Sequence, residues 1–169
     1  MRPHTVLKKA CPLLFIPVLT IAMTAQPVYR YPDISPALLR DANSVVRNKE
    51  TVFEITGIGN AVQRIKYAVT ILNRNGLKYS VFIQPYNKFQ TVRNIKWNIY
   101  DQNGSLVKNK SNTSVEDYSA IAGYELFSDS RVKFIDPKYR NTPFTVEYSY
   151  EIVYDGLLSY PVWRVYEDY

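Results

Sequence analysis

Every even-numbered position from Phe144 to Tyr154 is apolar or aromatic. In FTVEYSYEIVYD, Phe144, Val146, Tyr148, Tyr150, Ile152 and Tyr154 alternate with Thr145, Glu147, Ser149 and Glu151. Period two over that length predicts an antiparallel strand with one buried face. Weaker alternation recurs upstream. VVRNKETVFEIT sets Phe53 and Ile55 on one face, and VQRIKYAVTILN sets Ile65, Tyr67, Val69 and Ile71 opposite Lys66, Ala68 and Thr70. LKYSVFIQ puts Tyr79, Val81 and Ile83 inward, and Pro85 ends that strand or marks a sheet edge. VRNIKWNIYD puts Ile95, Trp97 and Ile99 on one side, and SLVKN, YELF and RVKFID read as further short strands.

Turn chemistry separates these runs. GIGN at 57–60 is a turn, NRNG at 73–76 a hairpin, and DQNG at 101–104 a hairpin in which Asn103 and Gly104 supply positive φ. Asp155-Gly156 turns the chain into LLSYPVWRVYEDY, a partner strand interrupted by Pro161. Residues 110–123 form the longest loop, with a helical turn over Ser114 to Tyr118. Ahead of the strands, Ser35 is placed as a helix N-cap, Pro36 as its first residue and Ile34 as a staple. The helix ALLRDA carries Leu38, Leu39 and Ala42 as its stripe and ends near Asn43. One short helix and eight or nine strands predict an all-β fold, an antiparallel β-sandwich.

The first 25 residues follow a different pattern. Arg2, Lys8 and Lys9 precede an uncharged stretch from Ala10 to Ala25, the layout of a secretory signal peptide cleaved after Ala25, with Ala22 as the other option. The chain therefore divides into a leader (1–25), an extended segment with a short helix (26–43), and a β-sandwich domain (44–169). The expected location is periplasmic or secreted, and the membrane matters only for export. Three of the 21 basic residues fall in the leader, which leaves 18 against 15 acidic, a net of +3 for the mature chain. That excess is spread thinly, so no nucleic-acid surface is expected. The densest basic stretch, LVKNKSN, reads as a solvated turn.

Composition then removes much chemistry. Cys11 and His4 are the only residues of their kinds, and both lie in the leader. The mature chain has no thiol or imidazole for a Cys-His or Ser-His-Asp mechanism or a Cys/His zinc site. Carboxylates remain. Asp101 and Asp155 fall in turns, Glu116 and Asp117 in a loop, and Glu147 and Glu151 on the polar side of a strand, so solvated positions are expected rather than a glycosidase pair. DQNG lacks the later ligands of a calcium loop. No catalytic, cofactor-binding or metal-binding residue is assigned, and no cofactor is expected. Tyr148, Tyr150 and Tyr154, with Trp97 and Trp163, suggest a sugar-stacking platform, but the apolar company of the tyrosines favours a core face. Tyr86, Tyr118 and Tyr139 fall in loops.

Taken in order, YPDISPALLRDANSVVRNKETVFEI, YAVTILNRNG, YNKFQTVRNIKWNIYDQNGSLVK and SDSRVKFIDPKYRNTPFTVEYSYEIVYDGLLSYPVW resemble one family. It is the domain of unknown function that lies N-terminal to transglutaminase-like cores in exported proteins of Gram-negative bacteria. The likeness runs from about Tyr31 to Trp163. It implies a β-sandwich, followed by a papain-like core whose Cys, His and Asp do the chemistry. It carries no catalytic residue onto this chain. The expected function is a non-catalytic exported accessory or interaction domain, with no enzyme activity of its own. One alternative is the N-terminal fragment of a transglutaminase-like or peptidase-like enzyme, with VWRVYEDY an interrupted strand. A weaker one is a carbohydrate-binding module. The expected partner is a C-terminal transglutaminase-like domain, or another protein pairing with an open sheet edge near Tyr169.

Overall fold

The computed structural model describes residues 28–112, 114–119 and 129–156. The expected leader, the YELF strand, Trp163 and the Pro161-interrupted partner strand lie outside them. Eight strands are described: β1 (Ser44–Gly57), β2 (Asn60–Ile71), β3 (Phe82–Tyr86), β4 (Gln90–Tyr100), β5 (Leu106–Ser111), β6 (Glu116–Ser119), β7 (Arg131–Ile135) and β8 (Phe144–Asp155). They form a five-stranded sheet, β1-β2-β8-β4-β5, and a three-stranded sheet, β3-β7-β6. All described pairings are antiparallel.

The alternation in β8 has the predicted result. Phe144, Val146, Tyr148, Ile152 and Tyr154 are buried, and Tyr150 packs against them. β8 is central, paired in full with β2 on one side and with β4 on the other. Ala61, Val69 and Ile71 of β2, and Val92, Ile95, Trp97 and Ile99 of β4, complete that wall of the core. β4 has two irregularities, one against β5 between Ile99 and Tyr100 and one against β8. Against β8 its register slips between Arg93 and Lys96, where Asn94 takes φ 55°. The extra residue lets even-numbered Val92 and odd-numbered Ile95 face the same way. Phe82 of β3 and Ile135 of β7 close the core from the smaller sheet.

Several local expectations fail for identifiable reasons. NRNG is not a hairpin. None of residues 73–76 takes the positive φ that a primed two-residue turn needs. Instead the Asn73 side chain accepts from the amides of Asn75 and Gly76, and a 3-10 segment runs over Arg74–Ser80. The segment carries the chain from one sheet to the other. Strand β3 then starts at Phe82, so Phe82 faces the core and Ile83 points out, 61% exposed, against the predicted phase. The expected helical turn over Ser114 to Tyr118 is replaced by β6, because residues 116–119 pair with β7. LVKNKSN is not a turn either, since it supplies all six residues of β5. DQNG does form the β4–β5 hairpin. Only Gly104 takes positive φ, and Asp101 Oδ1 accepts from the amides of Asn103 and Ser105.

The helix covers only Pro36–Leu39, and Ser35 makes no side-chain cap. Asp41 at φ 58° ends it. Leu38 is exposed, and the anchor of this segment is Ile34, 5% exposed. Pro85 sits on β3, an edge strand among the described residues, as its proline suggests.

Candidate functional site

Glu147 is the most buried described carboxylate, 8% exposed, on the outer face of the five-stranded sheet. Its neighbours on β2, β4 and the N-terminal segment all aim donors at it. Tyr29 Oη donates to Oε2 at 2.8 Å, Asn98 Nδ2 to Oε1 at 3.0 Å and Tyr100 Oη to Oε1 at 3.4 Å. Lys66 Nζ lies 3.3 Å from Oε2. Burial and the facing carboxylate push the Tyr29 phenol well above its usual range. Beside the carboxylate, the Thr70 and Thr145 hydroxyls meet at 2.7 Å, and Arg47 donates to Thr70 Oγ1 and to the Arg30 carbonyl. Tyr29 packs edge-on against Tyr100. Strand alternation predicts the polar phase of Glu147 correctly, yet the residue is not solvated, because the segment before the helix crosses over it. With its acceptor positions taken up in this way, the carboxylate is a clamp for that segment.

Asp117, Glu151 and Asp136 are engaged as well. Lys133, Tyr86 and Arg131 all donate to Asp117 and hold its carboxyl down to about 2, with Lys133 the largest influence. Arg93 and Asn94 donate to Glu151 Oε2, and Arg140 to Asp136. These ties lower both carboxyls below the usual range, with the arginine the main cause in each case. Among the described residues, no group of three or more His, Cys, Asp or Glu is placed to hold a metal ion.

The aromatic row belongs to the core. Tyr148 is 2% exposed and donates to the Ser80 carbonyl at 2.6 Å, while Tyr150 and Tyr154 donate to Gln84 and Gln63. Trp97 is buried. Tyr86 lies at the end of β3 and Tyr118 on β6, while Tyr139 packs edge-on against Phe144.

The three-stranded sheet inverts the usual polarity of a sandwich. Its inner face begins with Phe82 and Ile135, but the same phase continues through Gln84, Lys133, Asp117, Arg131 and Tyr86. Its outer face carries Ile83, Pro85, Val132, Phe134 and Tyr118, with Glu116 as its described charged member. Ile83 and Tyr118 are more than half exposed, and Tyr118 packs edge-on against Phe134. An apolar outer sheet face is a surface suited to contact with protein. Its signal was present in FIQPY and RVKF, where apolar residues occupy both phases.

The molecule is thus a two-sheet antiparallel sandwich whose described carboxylates are largely tied up internally and whose smaller sheet is apolar outside. The chain belongs to the DUF3857 family, described as a domain of unknown function with a solved structure; the family's model matches residues 58–165. The fold is also similar to that of a Parabacteroides distasonis protein described as a candidate protease. The TM-score is 0.58 at 14% sequence identity, over 67% of this chain and 23% of that one. This chain therefore spans less than a quarter of the length of that protein, and the likeness is one of fold. No curated protein matches.

Proposed function

We propose that this chain is a non-catalytic, exported β-sandwich module that serves an adjoining catalytic domain of the transglutaminase or peptidase type. The observation that carries this reading is the apolar outer face of the three-stranded sheet, centred on Ile83, Val132 and Phe134. A five-residue, three-stranded face covers only about 250 Å², from strand rise and spacing. A stable contact between independent proteins needs roughly 800 Å² from each partner. A face this small suits a partner held nearby by the same chain, where effective concentration replaces area. The fold neighbour supports such an occupant, since the shared fold is a minor part of a protein described as a candidate protease. The internal ties of Glu147, Glu151, Asp117 and Asp136 support a module without its own catalysis.

A photo-crosslinker placed at position 83 in the native host tests this. The expected product joins this fold to a Cys- and His-bearing catalytic domain, while a crosslinker at Arg64 on the other sheet gives none. No product at position 83, or an equal one at position 64, would overturn the docking. Hydrolysis of casein or glutamine–amine exchange by the purified chain would overturn the non-catalytic reading.

A further inference from the structure

Lysines stand where strand β5 should be apolar. Lys110 pairs with Trp97 and Lys108 with Ile99, so both lysines share the phase of two core residues. Inward charges on an edge strand deter indiscriminate pairing. Here they also border a groove of about 640 Å³ between β5 and the chain that follows β7. Trp97, Lys108, Lys110, Asp136, Pro137 and Lys138 line it.

Two independent features make this groove a site. The first is an orphaned donor. Trp97 is 4% exposed, and its buried Nε1–H has no acceptor among the described residues. Leaving such a group unpaired is unfavourable, and an oxygen at the groove floor would satisfy it. The second is unbalanced charge. Asp136 is already engaged by Arg140 Nη2 at 2.9 Å and by the Lys138 amide at 2.8 Å. Glu116, on the same rim, accepts from the Tyr118 hydroxyl. Lys108 Nζ reaches the Pro137 carbonyl at 3.5 Å. Lys110 and Lys138 form no ion pair among the described residues. The groove therefore presents ammonium groups beside an indole donor.

The strand at its border has an open edge among the described residues. Among the described residues β5 pairs with β4 alone, and Leu106 and Val107 are exposed on it. We infer that the β5 groove binds an extended acidic peptide segment. The peptide adds beside β5 through main-chain hydrogen bonds. Alternate carboxylates meet Lys108, Lys110 and Lys138, and a peptide oxygen accepts from Trp97 Nε1. Carboxylate chemistry follows from the charge; an extended peptide follows from the open edge and from the burial of Trp97, which offers no ring face for a sugar to stack on. This inference is independent of the apolar face of the smaller sheet.

The chain has two tryptophans, Trp97 and Trp163, so its indole N–H resonances can be assigned with a Trp163→Phe variant. The probe is a blocked hexapeptide of alternating valine and glutamate, titrated into the ¹⁵N-labelled chain. The expected result is a saturable shift of the Trp97 indole resonance that weakens as salt rises. Lys110→Gln and Lys138→Gln should each reduce affinity about two- to fivefold, the size of an exposed charge pair. Lys78→Gln, on the 3-10 segment, should leave it unchanged. The matching valine–glutamine peptide should not bind. A still indole resonance, equal binding of the glutamine peptide, or unchanged affinity in both lysine variants would overturn the inference. A shift produced by trigalacturonate and not by the peptide would also overturn it.

Discussion

Replacing Glu147 isolates what the outer-face clamp contributes. Glu147→Ala removes the acceptor for Tyr29, Asn98 and Tyr100 and the counter-charge of Lys66. A hydrogen bond to a charged group contributes about 1.5–3 kcal/mol net, and an exposed ion pair under about 1 kcal/mol. Tyr29 can recover water once the segment lifts, and Tyr100 holds its bond at a long 3.4 Å. The strongest cost is at Asn98, whose Nδ2 loses its charged acceptor and keeps only a 3.3 Å contact with Tyr100 Oη, and whose Oδ1 is already buried without a partner among the described residues. The expected loss is about 3 kcal/mol for Glu147→Ala and about 1.5 kcal/mol for Glu147→Gln, which keeps an acceptor for one side only. With a urea m-value of about 1.5 kcal/mol/M, the midpoints fall by about 2 M and 1 M. Tyr29→Phe should cost about 1 kcal/mol alone and little on top of Glu147→Gln, since the two share one bond. Trypsin should cut after Arg30 faster in Glu147→Gln than global unfolding allows, because the segment opens locally. An Ala midpoint within 0.5 M of the parent's would refute the clamp, and so would full additivity of the Tyr29 and Glu147 changes.

Gly76→Ala should be severely destabilising, because its Cβ would lie 2.1 Å from the Asn43 carbonyl oxygen, a backbone atom that cannot swing away. A loss above about 3 kcal/mol, or more than about 10 °C in Tm, is expected by calorimetry. Tyr148 titrates far above its usual range, mainly through burial, so its stabilising effect is intact below pH ~10 and declines above it as the unfolded chain ionises. Between pH 9 and 11 the parent should lose about 1.4 kcal/mol more than Tyr148→Phe in matched urea titrations. Equal losses would show that the phenol is not held neutral.

Side-chain period exposed the large sheet. Strand β8 could be read residue by residue, since burial on one face forces apolar side chains into one phase. The faces of β2 and β4 were legible for the same reason, apart from the Asn94 bulge that moves Val92 into phase with Ile95. The smaller sheet was not. FIQPY and RVKF are apolar in both phases, so alternation cannot say which side faces the core, and Ile83 was placed inward where Phe82 belongs. NRNG misled because its residues suit a primed turn and an Asx turn equally well, and the clearance at Gly76 beneath Asn43 is a tertiary fact. The burial of Glu147 was invisible because the cover comes from Tyr29, 118 residues earlier. SLVKN reads as a strand and the overlapping LVKNKSN as a solvated turn, because its dense charge hides the alternation of Lys108 and Lys110 with Val107 and Asn109.

The position of β8 bears on when this chain can fold. The strand joins β2 to β4 and spans Phe144–Asp155, the last described strand in sequence yet the middle of the large sheet. Asn60 waits for Asp155, and Ile71 for Phe144. A nascent chain that has emerged only as far as β7 holds the β1–β2 and β4–β5 hairpins with nothing to join them. Such long-range closure is slow compared with local pairing. The sandwich therefore cannot close until Phe144–Asp155 has emerged, whatever follows it, and until then the facing edges of β2 and β4 lack the strand that bridges them.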